Sequence, residues 1–306
     1  MHLPHRSRAA ALPAALCLTL SVALCVALPP AGPARVLAAT ATADSATTDS
    51  AAADTSAAGP ARNPAYGYEM VLIHTIGSSA DVWDDMLPLL QIGYRVWTFE
   101  LPGHGHTRPI KNLTVQSAAR ELARFIHENG IGYPILVGHG MGGLIAMDYT
   151  FHHPDAVKRL IVIDAAPKQL ATREQKERVA YQLLHHYDRF VAGYFQGMSP
   201  RKDIADRIVD QALRTDQISF TELLLSSFDF DLTDLLPRQS VPILVIGSAT
   251  FFPDPDNARA TLNQMGWDKA RSIAFKTMPG CGTFVMLEQP TYTASVIIAF
   301  SEAGNR

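Results

Sequence analysis

Ile135-Leu136-Val137-Gly138-His139-Gly140-Met141-Gly142-Gly143-Leu144-Ile145 decides the architecture of this chain. Pro134 to Val137 is a short apolar run of the kind that forms a fully buried strand. The glycines from Gly138 to Gly143 predict a tight turn, since glycine enters φ > 0 without a Cβ clash. Leu144 to Phe151 then reads as a helix. The same alternation extends outward. Met70 to His74 is a strand ended by Gly77, and Arg95 to Phe99 is another, closed by Leu101-Pro102-Gly103. Ser117 to Asn129 has helical spacing at Leu122, Phe125 and Ile126, with Gly130 as its stop. Leu160 to Ile163, Ile243 to Ile246 and Arg271 to Phe275 predict three more strands, and Tyr292 to Phe300 a closing helix. Strands alternating with helices imply an α/β protein with a mostly parallel sheet covered on both faces. From Pro167 to Pro237 the pattern is helical without a strand, so residues of about 168–237 are expected to cap one end of the sheet.

Four landmarks, in chain order, carry a resemblance. Gly138-His139-Gly140-Met141-Gly142 resembles the nucleophile elbow G-x-S-x-G of the α/β-hydrolase fold. His74-Thr75-Ile76-Gly77-Ser78-Ser79 looks like that family's HG-type oxyanion loop. Glu100-Leu101-Pro102-Gly103-His104-Gly105 looks like its D-x-P-G-x-G segment. Gly280-Cys281-Gly282-Thr283-Phe284 looks like the loop that carries the catalytic histidine. The resemblance covers about Tyr66 to Phe300 and implies a serine hydrolase-like protein of lipase, esterase or lactonase type.

The departures fall on the chemical positions. Gly140 stands where the resemblance implies the nucleophile, and glycine has no side chain to attack with. Ala249 or Thr250 stands at the acid's place, and Thr283 at the base's. Thr75 replaces a glycine of the oxyanion loop. Its β-branched side chain is expected to crowd the loop. The implied oxyanion donors, the backbone N–H groups of Ile76 and Met141, are expected to survive because side-chain changes do not delete them. No histidine lies in the last 120 residues, so the base would have to come from the cap, where His185 and His186 stand.

Other candidate residues are weaker. Cys281 acts as a nucleophile only if its thiolate is favoured. Asp254 and Asp256 lie just beyond the acid's place, and Asp164 ends the preceding strand. Ser78 and Ser79 suit structural hydrogen bonding. His104 with His106, and His152 with His153, have metal-like spacing without a third ligand cluster, so no metal and no cofactor are expected. With all three chemical positions altered, the expectation is a non-catalytic pseudo-hydrolase that binds a small ester, acyl or carboxylate ligand without cleaving it. The alternative is an active carboxylic-ester hydrolase with a rearranged site using Cys281 or a cap histidine.

The chain of 306 residues is 47% hydrophobic and 18% charged, enough apolar material for a sizeable core. A net charge of −3 argues against a nucleic-acid partner or a polybasic membrane surface. Arg6 and Arg8 precede an uncharged run from Ala14 to Leu28, apolar apart from Thr19 and Ser21. Val36-Leu37-Ala38 then fits a signal-peptide cleavage site, with Ala41-Thr42-Ala43 as a second candidate. Residues 1–38 are therefore expected to be a cleaved signal peptide, exporting the chain to the periplasm or beyond with no stable membrane anchor. Residues 39–64, rich in Ala, Thr, Ser and Asp, read as a disordered linker before a domain at 65–306. Cleavage would leave Cys281 as the one cysteine, which excludes an internal disulfide. Asn112-Leu113-Thr114 is a glycosylation sequon.

Overall fold

A computed structural model describes residues 68–169 and 171–303. The expected signal peptide and linker lie outside the described residues. Six strands form one sheet: β1 (Tyr68–Ile73), β2 (Tyr94–Phe99), β3 (Ile135–His139), β4 (Arg159–Ile163), β5 (Ile243–Ser248) and β6 (Ile273–Met278). Their spatial order is β2-β1-β3-β4-β5-β6, and every pairing is parallel. β3 and β4 are buried at every residue, as a parallel sheet covered on both faces requires. Among the described residues, no helix is long and apolar enough to cross a membrane.

Two framework helices fix the sheet. Helix α1 (Val115–Glu128) starts in a reciprocal capping box between Thr114 and Ser117 and buries Ala118, Leu122 and Ile126. Helix α2 (Met141–His152) is buried from Met141 through Phe151, and its lack of a polar face is that of a helix enclosed by protein. Gly142 permits the approach of α2 to the sheet. A β-carbon there would lie 2.4 Å from the Ile73 carbonyl oxygen.

Four helices intervene between β4 and β5: α3 (Arg173–His185), α4 (Tyr187–Gln196), α5 (Lys202–Leu213) and α6 (Gln217–Ser227). They lie in the span read from the sequence as a cap. The closing helix α7 (Pro290–Glu302) is held to the sheet by Arg159, whose Nε donates to the Ser301 carbonyl at 3.1 Å. Strand boundaries lie within three residues of the sequence reading, some extended and some shortened. The largest shift is β6, which runs to Met278, because its hydrogen bonding to β5 continues through Ser248.

After β1 the chain crosses to β2 on one side, and β3 returns on the other. That reversal opens a crevice at the carboxyl ends of β1 and β3, the preferred ligand location in such sheets. Thr75 follows β1 and Gly140 follows β3, so both enter it.

Candidate active site

A cavity of about 130 Å³ lies between the carboxyl ends of the strands and residues of the helical segment inserted between β4 and β5. Its floor is polar, with Thr75, His139, Gly140 and Asp164, while Met198, Leu224 and Phe228 supply an apolar roof. The sheet places these floor groups next to one another. His139 pairs with Ile163 in the β3–β4 register, and the Gly140 N–H donates to the Ile163 carbonyl at 2.8 Å. Asp164 is the next residue.

Gly140 has φ 51° and ψ −114°, a backbone conformation that side chains strain to adopt. Thr75 fills the space that a side chain at position 140 would occupy. A β-carbon built on Gly140 would lie 2.3 Å from Thr75 Oγ1 and 3.0 Å from Thr75 Cβ. The Met141 N–H donates to that same hydroxyl at 3.1 Å. This corrects one sequence expectation: the Met141 amide is present but is covered by a side chain. The loop itself is held by His74, whose Nδ1–H donates to the Thr75 carbonyl at 2.7 Å while Nε2 accepts from the Leu101 amide at 3.0 Å. Ile76 also lines the cavity.

Asp164 is the floor's titratable carboxyl. It follows β4 with φ 47° and is only 8% exposed. Its Oδ1 accepts from the Ser248 amide at 2.7 Å and its Oδ2 from the Ser248 hydroxyl at 2.6 Å. Burial pushes its pKa up to about 7, the Ser248 bonds oppose the shift, and the Glu288 charge adds to it. His139 packs edge-on against Phe284 at 4.8 Å. Burial, aided by His74, holds its pKa down at about 3, against a hydrogen bond to the Thr283 backbone. It is therefore a neutral imidazole. Its Nδ1 is buried without a hydrogen-bond partner among the described residues. Sequence reasoning passed over His139 because the second position of the elbow motif accepts any residue.

The remaining candidates fall into place by distance from this floor. Thr250 and Thr283 line the cavity, but Thr283 is turned to the cap: its amide donates to the Met198 carbonyl at 2.7 Å. The Ala249 amide donates to the Cys281 carbonyl at 3.0 Å, tying the loops after β5 and β6 together. Cys281 is 2% exposed and is absent from the cavity lining. Burial, Glu288 and Asp164 all push its thiol pKa up, the reverse of activation. His185 and His186 are exposed at the junction of α3 and α4, away from the cavity. The structure thus does not bring together the rescuing groups named from sequence.

Asp254 caps a short turn through the Asp256 amide at 3.2 Å, and both aspartates are exposed. Ser78 Oγ donates to Gln211 of α5 at 3.3 Å, and Ser79 bonds Asp81, so both hydroxyls brace the oxyanion-type loop. His104 is buried, with a pKa pushed down to about 3, while His106, His152 and His153 are exposed. No group of three or more His, Cys, Asp or Glu side chains that could hold a metal ion occurs among the described residues.

Residues 69–202 match the family described as alpha/beta hydrolase fold. The chain is similar to a pimeloyl-[acyl-carrier protein] methyl ester esterase of Vibrio atlanticus (strain LGP32), 27% identical over 197 residues, which cover 58% of this chain and 74% of that one. A Yersinia enterocolitica protein of the same name is 23% identical over 252 residues, covering 78% and 94%. Among solved structures, a thermophilic esterase from Thermogutta terrifontis superposes with a TM-score of 0.68 at 23% identity, covering 77% of this chain and 89% of that one. An enol-lactonase from Burkholderia xenovorans LB400 gives 0.67 at 18% identity, covering 76% and 91%. These relatives correct the expectation of an inactive, binding-only pseudoenzyme, because the chain aligns with proteins named as ester hydrolases. The sequence reading took the altered residues at the three chemical positions as the absence of the reaction.

Proposed function

The chain has the α/β-hydrolase fold, and from that premise we propose that it hydrolyses carboxylic esters whose acyl part sits under the cap. The observation that carries this reading is the cavity itself. It lies at the crevice of the sheet, is roofed by apolar side chains, and has on its floor a carboxyl with a pKa of about 7. A buried carboxyl near neutrality is what general-base work requires. The relatives named as esterases support the same class. Gly140, Ala249 or Thr250, and Thr283 stand on this reading where a serine hydrolase carries its nucleophile, acid and base, so the chemistry here runs through other floor groups.

The apolar roof predicts selection by acyl length. Each methylene moved from water into the cavity is worth about 0.8 kcal/mol, roughly fourfold in kcat/KM, until the cavity is full. The test is a series of p-nitrophenyl esters, from acetate to dodecanoate, offered to the purified intact chain. Saturable turnover that rises and then falls with chain length is expected. Turnover no greater than that of a control protein, for every ester, overturns the reading.

A further inference from the structure

We propose that this site cleaves its ester by direct attack of water, with the Asp164 carboxylate taking the proton and the Thr75 hydroxyl holding the oxyanion, so that no acyl-enzyme forms. The inference rests on the esterase reading above and adds its mechanism.

Two independent observations carry it. The first is the state of the Thr75 hydroxyl. Its oxygen lies in the space of the missing side chain at position 140 and accepts from the Met141 N–H. Donation by an amide makes a hydroxyl a poorer nucleophile and a better hydrogen-bond donor. The hydroxyl proton is thus the group aimed at a carbonyl oxygen entering the cavity, and the helix amide behind it supplies polarisation. The second is the placement of Asp164 on the neighbouring strand end, lining the same cavity. Ser248 occupies one lone pair on each carboxyl oxygen and fixes the group's orientation, leaving a lone pair on each for a water.

The balance is simple. Asp164 takes a proton from water as its oxygen bonds to the acyl carbon. The carbonyl oxygen becomes the oxyanion against Thr75 Oγ1–H. The bond to the alcohol oxygen then breaks, and that oxygen leaves with the proton Asp164 held. Water is added across the ester, nothing is oxidised, and the acid product loses its own proton to solvent.

The groups facing Asp164 are compatible with this role. From β3 comes His139, neutral because of its low pKa. From the loop after β6 come Glu288, whose oxygens are engaged by Ser199 and Gly282, and Cys281, a thiol with a raised pKa. The cap presents Tyr194 and the amides Gln169 and Gln175. Among the described residues, no Lys or Arg lines the cavity to hold Asp164 ionised below neutrality.

The test uses the intact protein and p-nitrophenyl butyrate. Pre-steady-state release of p-nitrophenol is expected to show no burst, and intact-mass analysis no acyl adduct. Asp164→Asn is expected to lower kcat by about 10²–10⁴-fold. Thr75→Val, isosteric but without the hydroxyl, is expected to lower kcat by about 10²–10³-fold at similar KM, with Thr75→Ser recovering much of it. Ser248→Ala removes the hydroxyl bond that favours the charged carboxylate and retains the backbone amide that donates to Oδ1. It should move the ascending limb of the kcat/KM pH profile upward from about 7. A burst, an adduct on any hydroxyl or thiol, full activity in Thr75→Val, or an unmoved pH limb in Ser248→Ala overturns the mechanism while leaving the esterase reading intact. Absence of turnover in the unaltered chain overturns the esterase reading first, and this inference with it.

Discussion

Consider Gly140→Ala, the smallest change that adds a side chain at the elbow. Two costs follow from the structure. The residue sits at φ 51° and ψ −114°, where a side chain costs on the order of 1–3 kcal/mol. The new methyl would lie 2.3 Å from Thr75 Oγ1, so Thr75 must move and release the Met141 amide. Overpacking of this kind costs about 1–3 kcal/mol more. The sum is about 2–6 kcal/mol, and a domain of this size loses about 2–4 °C of melting temperature per kcal/mol. Thermal unfolding followed by circular dichroism should therefore show a drop on the order of 10 °C. The double variant Thr75→Gly/Gly140→Ala removes the collision and keeps the backbone strain. Its melting temperature should lie above that of Gly140→Ala, although Thr75→Gly alone is destabilising. Such a departure from additivity is the signature of direct contact. A Gly140→Ala protein that melts within a degree of the parent, or a double variant in which the two losses simply add, refutes the placement of Thr75 in the elbow's empty space.

Acid should weaken the fold. His104 and His139 have folded pKa values of about 3 against 6.5 unfolded, so below pH 6.5 the unfolded chain gains two protons that the folded one lacks. Asp164, at about 7 folded and 3.8 unfolded, works the other way and stabilises the fold until pH rises through 7. The net is one proton, so stability should fall by about 1.4 kcal/mol per pH unit from pH 6 to 4; Asp164→Asn should roughly double that slope in urea unfolding at stepped pH. Cys281→Ala should leave ester turnover unchanged within twofold, and iodoacetamide should label native Cys281 only slowly, because the thiol is buried with a raised pKa; rapid labelling with loss of activity counts against that. Leu224→Trp should fill the cavity roof and shift the ester preference to shorter acyl chains, read from kcat/KM across the p-nitrophenyl series.

The fold was legible because its signals are local. A buried strand, a glycine turn and an apolar helix follow one another within Ile135 to Ile145, and the other strands announce themselves by short apolar runs. Gly140 and Thr283 could be singled out because each is a single letter in recognisable surroundings. What could not be read is what moved into the space. Thr75 belongs to a loop sixty-five positions upstream of Gly140, and its hydroxyl reaches the elbow only because position 140 lacks a Cβ. Asp164 looked like an ordinary strand-end residue. Its pKa is raised by burial and its orientation is fixed by Ser248 from another strand, whose bonds oppose the shift, and neither has a local signature. His139 was hidden by a permissive motif position.

Thr75 and Gly140 make sense only as a pair. A threonine in the loop after β1 would collide with any side chain at the elbow, and a glycine at the elbow alone would leave a void over the Met141 amide. Together they give a filled, hydrogen-bonded floor with the Thr75 hydroxyl in the space that a side chain at position 140 would take. The proposed reaction draws on what this folded floor offers, an oriented carboxyl and a polarised hydroxyl that line one cavity under an apolar roof.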